Sequence, residues 1–591
     1  MRRIDAAAGA ASRVTGDVSG GLPLPRRSRA PHALAWMVAL AATATAPAAF
    51  GATSGGAAAP VLQPRTFVLD LKAATQPMDR AHDLSIGADF PGTLGREDSL
   101  GQVKTMVDEL GMRFIRFHAI FHDVLGTVTV KNGQTVYDFS GIDRLYDGLL
   151  ARGIKPFVEL GFTPAAMATS PQTIFYWKGN TSHPEPAAWR ALVDAFARHL
   201  IQRYGAAEVR SWYFEVWNEP NLDGFWEKAD QPAYFALYAD TARVLKAVDP
   251  ALRVGGPATA GADWVVPFLA YAKSVQVPVD FVTTHTYGVD GGFLDEHGVE
   301  DRKLSPSPDA IVGDVRRVRE QIQASDFPGL PLFITEWSTS YNPRDLVHDS
   351  YISAPYILTK LRQTRGLAQG MSYWTYSDLF EEAGPPPAPF HGGFGLMTRE
   401  GVRKPAWFAY KYLNALRGLE IPVRPAEGGT PVPSDDQVLA TRDGDQATAL
   451  VWDWQTPDQP VSNRTFFGRP VPAGQARPVH LQWHALTPGR YRVEVRRTGH
   501  QRNDAFTAWL EMGSPVSLNA DQLSRLQGLT QDRPETSQTI RIGAKGRLDW
   551  RVPMRSNDIV LVTLRPEGQN TRDPAGTRVK KPASPGRSNS Q

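Results

Sequence analysis

The sequence predicts an α/β chain in which a (β/α)8 TIM barrel carries an accessory antiparallel β-sandwich domain. Short apolar runs alternate with helical patterns between about residues 84 and 413, the order expected of βαβ units around a parallel sheet. Two Trp-bearing acidic motifs, Trp217-Asn218-Glu219-Pro220 and Thr335-Glu336-Trp337, each close one of those runs, with their Glu residues 117 positions apart. Beyond Leu419 the chain turns rich in Pro and Gly and short β-like pieces recur, as in a sandwich.

Taken in order, the eight candidate barrel strands are residues 84–88, 113–118, 155–160, 212–217, 253–257, 281–287, 332–336 and 371–376. Helical patterns between them include 187–204, 231–248 and 310–324. The two Glu motifs therefore end strands four and seven. Sandwich strands are expected at 447–454, 479–483, 489–497 and 559–564, and the β-like piece 66–71, before the first barrel strand, can pair with them. At 591 residues the chain is long enough for two folded domains. We divide it into a leader (1–52), the barrel (80–415), a discontinuous sandwich (60–79 plus 420–565) and a polar, Pro-rich, basic disordered tail (566–591).

Composition narrows the function classes. Lys and Arg number 64 against 61 Asp and Glu, and the central region has no sustained basic stripe, which argues against nucleic acid as a partner. Cysteine is absent, so disulfides, thiolate zinc sites and a thiol nucleophile are all excluded. Arg26, Arg27 and Arg29 precede an Ala-rich apolar stretch at 33–49. This reads as an export signal, too short and weakly apolar for a membrane span, and predicts a periplasmic or secreted protein with no membrane attachment in its mature form. His118 and His122 have a metal-ligand spacing, but no third ligand accompanies them. No metal and no cofactor are expected.

Two carboxyl groups delivered from different strand ends of a barrel are what glycosidic hydrolysis requires. The proton donor must start protonated, and its partner must be ionised at the anomeric carbon. Glu219 and Glu336 are the candidate pair, with Glu219 as the acid. Arg116 on strand two, and His285 and Tyr287 on strand six, are candidate donors around Glu336, and Asn218 is placed to meet a sugar hydroxyl. Glu159 and Glu215 lie within strands and are expected to bind neighbouring Arg residues instead of reacting. Long segments at 288–308 and 381–395, with Phe175-Tyr176-Trp177 after strand three, are expected to wall off a pocket at the catalytic face.

The run 212–221, with Thr284-His285-Thr286-Tyr287, Phe333-Ile334-Thr335-Glu336-Trp337 and Ser372-Tyr373-Trp374-Thr375-Tyr376-Ser377-Asp378, resembles glycoside hydrolase family 39 over about residues 66–413. That family holds bacterial β-xylosidases and is related to the α-L-iduronidases. The resemblance implies a retaining mechanism with Glu219 as acid/base and Glu336 as nucleophile. It also implies sugar-binding positions at His118, His285, Trp374, Glu381 and Glu382. The expected substrate is a small xylo-oligosaccharide cleaved at its non-reducing end, and homo-oligomer formation is left open. The rivals are the same chemistry on an iduronide, arabinopyranoside or glucoside, and a non-catalytic carbohydrate-binding protein.

Overall fold

Residues 62–294, 298–426 and 437–567 are described by the computed structural model. The leader lies outside them, as does the tail beyond Glu567. Eight parallel strands close a barrel in chain order: Ser85–Ala88, Phe114–Phe117, Lys155–Leu160, Tyr213–Val216, Arg253–Thr259, Phe281–Tyr287, Leu332–Ser338 and Gly370–Tyr373. Each coincides with one of the runs expected from the sequence. The helices Pro186–Tyr204, Gln231–Val248 and Val312–Gln323 fall on the three helical patterns. Glu185 and Asp230 cap the first two by accepting from the backbone amides of Ala188 and Ala233, with Pro in the first turn of each, where its missing N–H costs nothing.

Period two along each strand sorts side chains between the helices and the barrel interior. The lower interior is an aromatic plug of Phe114, Phe157, Phe281 and Phe333, with Leu84 and Tyr213. Phe157 stacks on Tyr213 at 5.0 Å and meets Phe281 and Phe333 edge-on at 5.8 and 6.0 Å. Two residues further along the same strands come Arg116, Glu159, Glu215, Thr283 and Thr335, all buried. The plug thus sets the floor of a polar layer near the C-terminal ends of the strands, where barrel sites are built.

The accessory sheets share their own core, centred on Phe67, Leu69, Val479, Leu481, Trp483, Tyr491, Val493 and Val562. One sheet has the order Val423–Pro425, Arg65–Asp70, Val479–His484, Leu548–Val552. The other has seven strands, in order Gln76–Pro77, Leu419–Glu420, Val438–Asp443, Gln446–Trp452, Ile559–Pro566, Gly489–Thr498, Thr536–Ile542. Pairing is antiparallel except between Arg65–Asp70 and Val479–His484, which run parallel. No hairpin could join two strands so far apart in sequence, so the antiparallel rule of short connections does not bind them. Pro566 ends the last strand, and the Glu567 carboxylate accepts from Arg490 and Thr539. Among the described residues no helix is long and apolar enough to cross a membrane.

Truncating the centre of the plug, Phe157→Ala, should cost about 3–5 kcal/mol of stability, because the surrounding rings cannot collapse into the space. Urea denaturation of the two proteins measures this; a loss under about 1 kcal/mol would contradict the plug's structural role.

Candidate active site

Glu219 lies three residues beyond strand four, and the turn that carries it is strained. Trp217 and Glu219 both adopt positive φ, 70° and 43°, a region that non-glycine residues occupy only when their surroundings compel it. Trp217 is fully buried, its ring 4.9 Å from that of Trp226 and 5.4 Å from that of Phe162, and its indole N–H donates to Phe225 O at 2.7 Å. The Glu219 amide donates to Ala258 O at 2.9 Å, tying the turn to strand five.

Glu336 reaches the interior by a different irregularity. Phe333 is in the plug and the Thr335 hydroxyl donates to Glu215 Oε1 at 2.7 Å, so regular alternation would send Glu336 outward. The pairing of strand seven shifts register against strand six after Thr284 and against strand eight after Ile334. This bulge turns Glu336 inward too, as bulges next to active sites do. The nearest carboxylate oxygens of Glu219 and Glu336 lie within 4.8 Å. Retaining pairs sit about 5–5.5 Å apart and inverting pairs about 6.5–9.5 Å.

Arg116 organises the floor. Its guanidinium donates to Glu336 Oε1 at 2.6 Å, Glu215 Oε2 at 2.5 Å and Asn218 Oδ1 at 2.7 Å, and lies 3.0 Å from Glu159 Oε2. Tyr287 donates to Glu336 Oε2 at 2.8 Å. His285 Nδ1 is 2.9 Å from Glu219 Oε1 and 3.6 Å from Glu336 Oε2. His118 bridges Glu159 at 2.8 Å and Glu382 at 3.1 Å. The Trp374 ring is 4.7 Å from His118, with Gly87 beneath it, where a β-carbon would fall 2.2 Å from the indole.

The protonation pattern follows from these contacts. Burial, reinforced by the charge of Glu336, raises the Glu219 carboxyl well above the ordinary carboxylate range. Burial keeps His285 neutral, with Arg116 and His118 acting in the same direction. For His118 burial works the other way, but Glu159 outweighs it and the imidazole is held protonated. Burial pushes Glu382 up to about 7 against the pull of His118. Tyr287 keeps its proton because burial and the charge of Glu336 both raise it.

The structure thus brings together Glu219, Glu336, Arg116, His118, Asn218, His285, Tyr287, Trp374 and Glu382. Glu381 is set apart: its carboxylate faces Arg96 at 3.4 Å and is partly exposed. Arg399 and Arg403 pair with Glu400 and Glu109, and Lys404 lies between Asp349 and Asp378. None of these cations is directed at Glu382. Asp89 was not singled out by the sequence, although a polar residue just past a barrel strand is a usable signal. Its carboxylate accepts from Thr93 at 2.9 Å, the Trp177 indole at 3.1 Å and the Glu381 amide at 2.8 Å, joining the loops after strands one, three and eight. Glu219, His285 and Glu336 also have the mutual spacing of metal ligands. The Arg116 guanidinium on Glu336 competes directly with any cation there.

Residues 67–549 match the family described as Glycosyl hydrolases family 39. The chain belongs to glycoside hydrolase family 39. It is 34% identical over 506 residues to a β-xylosidase of Geobacillus stearothermophilus, spanning 84% of this chain and 94% of the relative. Among solved structures it is similar to the family 39 enzyme of Xanthomonas axonopodis pv. citri, with 60% identity, TM-score 0.84, and 87% and 100% of the two chains covered. It is similar as well to a monomeric β-xylosidase from Caulobacter crescentus CB15, with 64% identity, TM-score 0.82, and 85% and 100% covered. This family 39 member is therefore a glycoside hydrolase.

Since the charge of Glu336 is one cause of the raised Glu219 carboxyl, Glu336→Gln should lower the Glu219 pKa. Titration of 13C-labelled Glu side chains by NMR, with Glu219→Gln to assign the resonance, reads this directly. An unchanged value would mean that burial alone controls the proton.

Proposed function

We propose that this family 39 member is a retaining exo-β-xylosidase, exported from the cell, that releases β-D-xylose from the non-reducing ends of xylo-oligosaccharides. One observation carries the mechanism: two carboxyl groups within 4.8 Å of each other, one bonded to a guanidinium and the other facing a neutral imidazole. In the first displacement Glu336 attacks the anomeric carbon while Glu219 gives its proton to the departing glycosidic oxygen. A glycosyl ester of Glu336 results. In the second, Glu219, now a carboxylate, takes a proton from water as that water attacks the anomeric carbon and frees Glu336. Arg116 and Tyr287 compensate the charge on Glu336 before the first displacement and again as the second one frees the carboxylate. Asn218 Nδ2 and His285 Nε2 are buried without a protein hydrogen-bond partner, which supports both as contacts for sugar hydroxyls.

The xylose reading is supported by the similarity to the Geobacillus and Caulobacter β-xylosidases. The exo reading draws support from the Thr173–Ile174 and Gly179–Asn180 hairpin, whose Tyr176 amide donates to Glu382 O at 2.8 Å, closing one side of the site. The Arg-led leader supports export.

Product analysis by NMR before mutarotation should show β-xylose first from a β-xyloside. Glu336→Ala with azide should give the α-xylosyl azide, because azide takes the nucleophile's place. Glu219→Ala with azide should give the β-azide from substrates with good leaving groups, while unactivated xylobiose slows by about 10²–10⁴-fold. Identical behaviour of the two variants would refute the division of roles.

Sugar choice has its own pH signature. A uronide places a carboxylate near Glu382, and like charges about 4 Å apart cost roughly 4 kcal/mol at an effective dielectric of about 20. With Glu382 pushed up to about 7, that repulsion is weak in acid and grows as pH rises through 7, offset in part by protonated His118. A β-D-xyloside should therefore have at least about a tenfold higher kcat/KM than an iduronide or glucuronide, equivalent to about 1.4 kcal/mol. The ratio should widen with pH. A ratio that narrows above pH 7 would remove Glu382 from the argument.

A further inference from the structure

Among the described residues only two aromatic rings are exposed, Tyr176 at 59% and Tyr341 at 43%. Isolated exposed apolar groups are ordinary, but the position of these two is not scattered. Both stand on loops at the catalytic face, Tyr341 beside the ring that donates to Glu336 and Tyr176 beside the backbone of Glu382. Tyr176 sits at the tip of the hairpin after strand three, where its amide is bonded to the carbonyl of Glu382. Tyr341 follows strand seven and meets the Tyr287 ring edge-on at 6.3 Å, and Tyr287 donates to Glu336.

The two rims are joined. Arg344, three residues beyond Tyr341, donates to the carbonyls of Ala383 and Gly384 at 3.2 and 3.0 Å. Gly384 lies against the Tyr176 ring, since a β-carbon there would sit 3.4 Å from its Cδ2. Each ring is also backed by a neighbour. Gly384 backs Tyr176, and the largely buried Arg302 guanidinium lies 4.9 Å from the centre of the Tyr341 ring. Such backing fixes the orientation of a ring while leaving surface for a ligand.

Pyranose rings present flat C–H faces to aromatic surfaces and hydroxyls at their edges, a match for a tyrosine with an apolar body and a polar tip. We propose that Tyr176 and Tyr341 flank the leaving-group side of the site and stack on the sugar that departs, so that they select saccharide over non-saccharide leaving groups. The inference rests on the xylosidase reading above and extends it from the sugar released to the sugar left behind.

The test compares xylobiose with β-D-xylosyl fluoride, whose leaving group is an ion too small to stack. For each protein the measured quantity is the ratio of kcat/KM for xylobiose to kcat/KM for the fluoride. Tyr176→Ala and Tyr341→Ala should each lower that ratio by about three- to tenfold. Tyr176→Phe and Tyr341→Phe keep the ring and should restore most of it, and both side chains are exposed enough for the fold to survive, as circular dichroism verifies. Ratios unchanged in both Ala variants, with wild-type protein active on both substrates, would overturn this assignment and leave the xylosidase reading standing. Wild-type protein inactive on both substrates would overturn the two together.

Discussion

Arg116 is the constraint on which the rest of the site depends. One guanidinium, fully buried, binds three carboxylates from three other strands and the amide oxygen of Asn218. Burying a cation is costly unless its hydrogen bonds are met. Here Glu159, Glu215 and Glu336 meet them from positions set by the barrel. Because those strands are held below by the aromatic plug, Arg116 cannot shift toward one carboxylate without leaving another, and the position of Glu336 is pinned from both sides.

The same inventory explains why two glutamates in one cavity behave differently. Arg116 and protonated His118 face five carboxyl groups: Glu159, Glu215, Glu219, Glu336 and Glu382. All five cannot be ionised at once in a buried space. The surplus protons settle where cations are least available. Glu336 has the guanidinium at 2.6 Å, whereas the nearest ring to Glu219 belongs to neutral His285. In the proposed mechanism, division of labour between acid and nucleophile is therefore a consequence of partners, not of any difference between the residues.

Much of this was legible in the sequence. The eight strands stand out because buried parallel strands are dense in apolar residues, and the inward direction of Arg116, Glu159, Glu215 and His285 follows from period two. Irregular geometry was not legible. Alternation from Phe333 through Thr335 predicts the wrong face for Glu336, and nothing in Trp217-Asn218-Glu219 announces two positive φ angles. Both departures occur at the residues that must converge, where backbone strain is sustained by surrounding packing. Asp89 offers only the weak local signal of a polar residue just past a strand, because its role depends on donors from three loops, a tertiary fact. The family motif drew Glu381 and Glu382 in together, yet the two enter a turn closed by the Gly384 amide on Glu381 O and point in different directions, so one faces Arg96 while the other meets His118.

The segment after strand eight shows how a sequence that reads as loose can be held firmly. Its Pro and Gly content suggests a mobile excursion, but residues 389–398 are buried almost throughout. Lys404, with Asp349 and Asp378 each at 2.6 Å, forms a buried ion triad and donates to Gly393 O at 2.9 Å. Asp349 and Asp378 in turn accept from the amides of Gly392 and Gly395 at 2.7 and 2.8 Å. The glycines are required by this approach: a β-carbon at Gly395 would fall 2.2 Å from the Asp378 amide nitrogen. The outer side of the segment is covered by Phe506 and Trp509 of the accessory domain, whose rings pack 5.7 and 5.6 Å from Phe390. On the adjacent side Asn463, also from the accessory domain, donates to Asp345 and accepts from the Leu304 amide. The loops after strands six, seven and eight are thus held from below by charge and from outside by segments that connect the accessory strands. Loops held in this way can keep Glu382 on His118 without a conformational step, so the site is preorganised by its surroundings and does not depend on the substrate to assemble it.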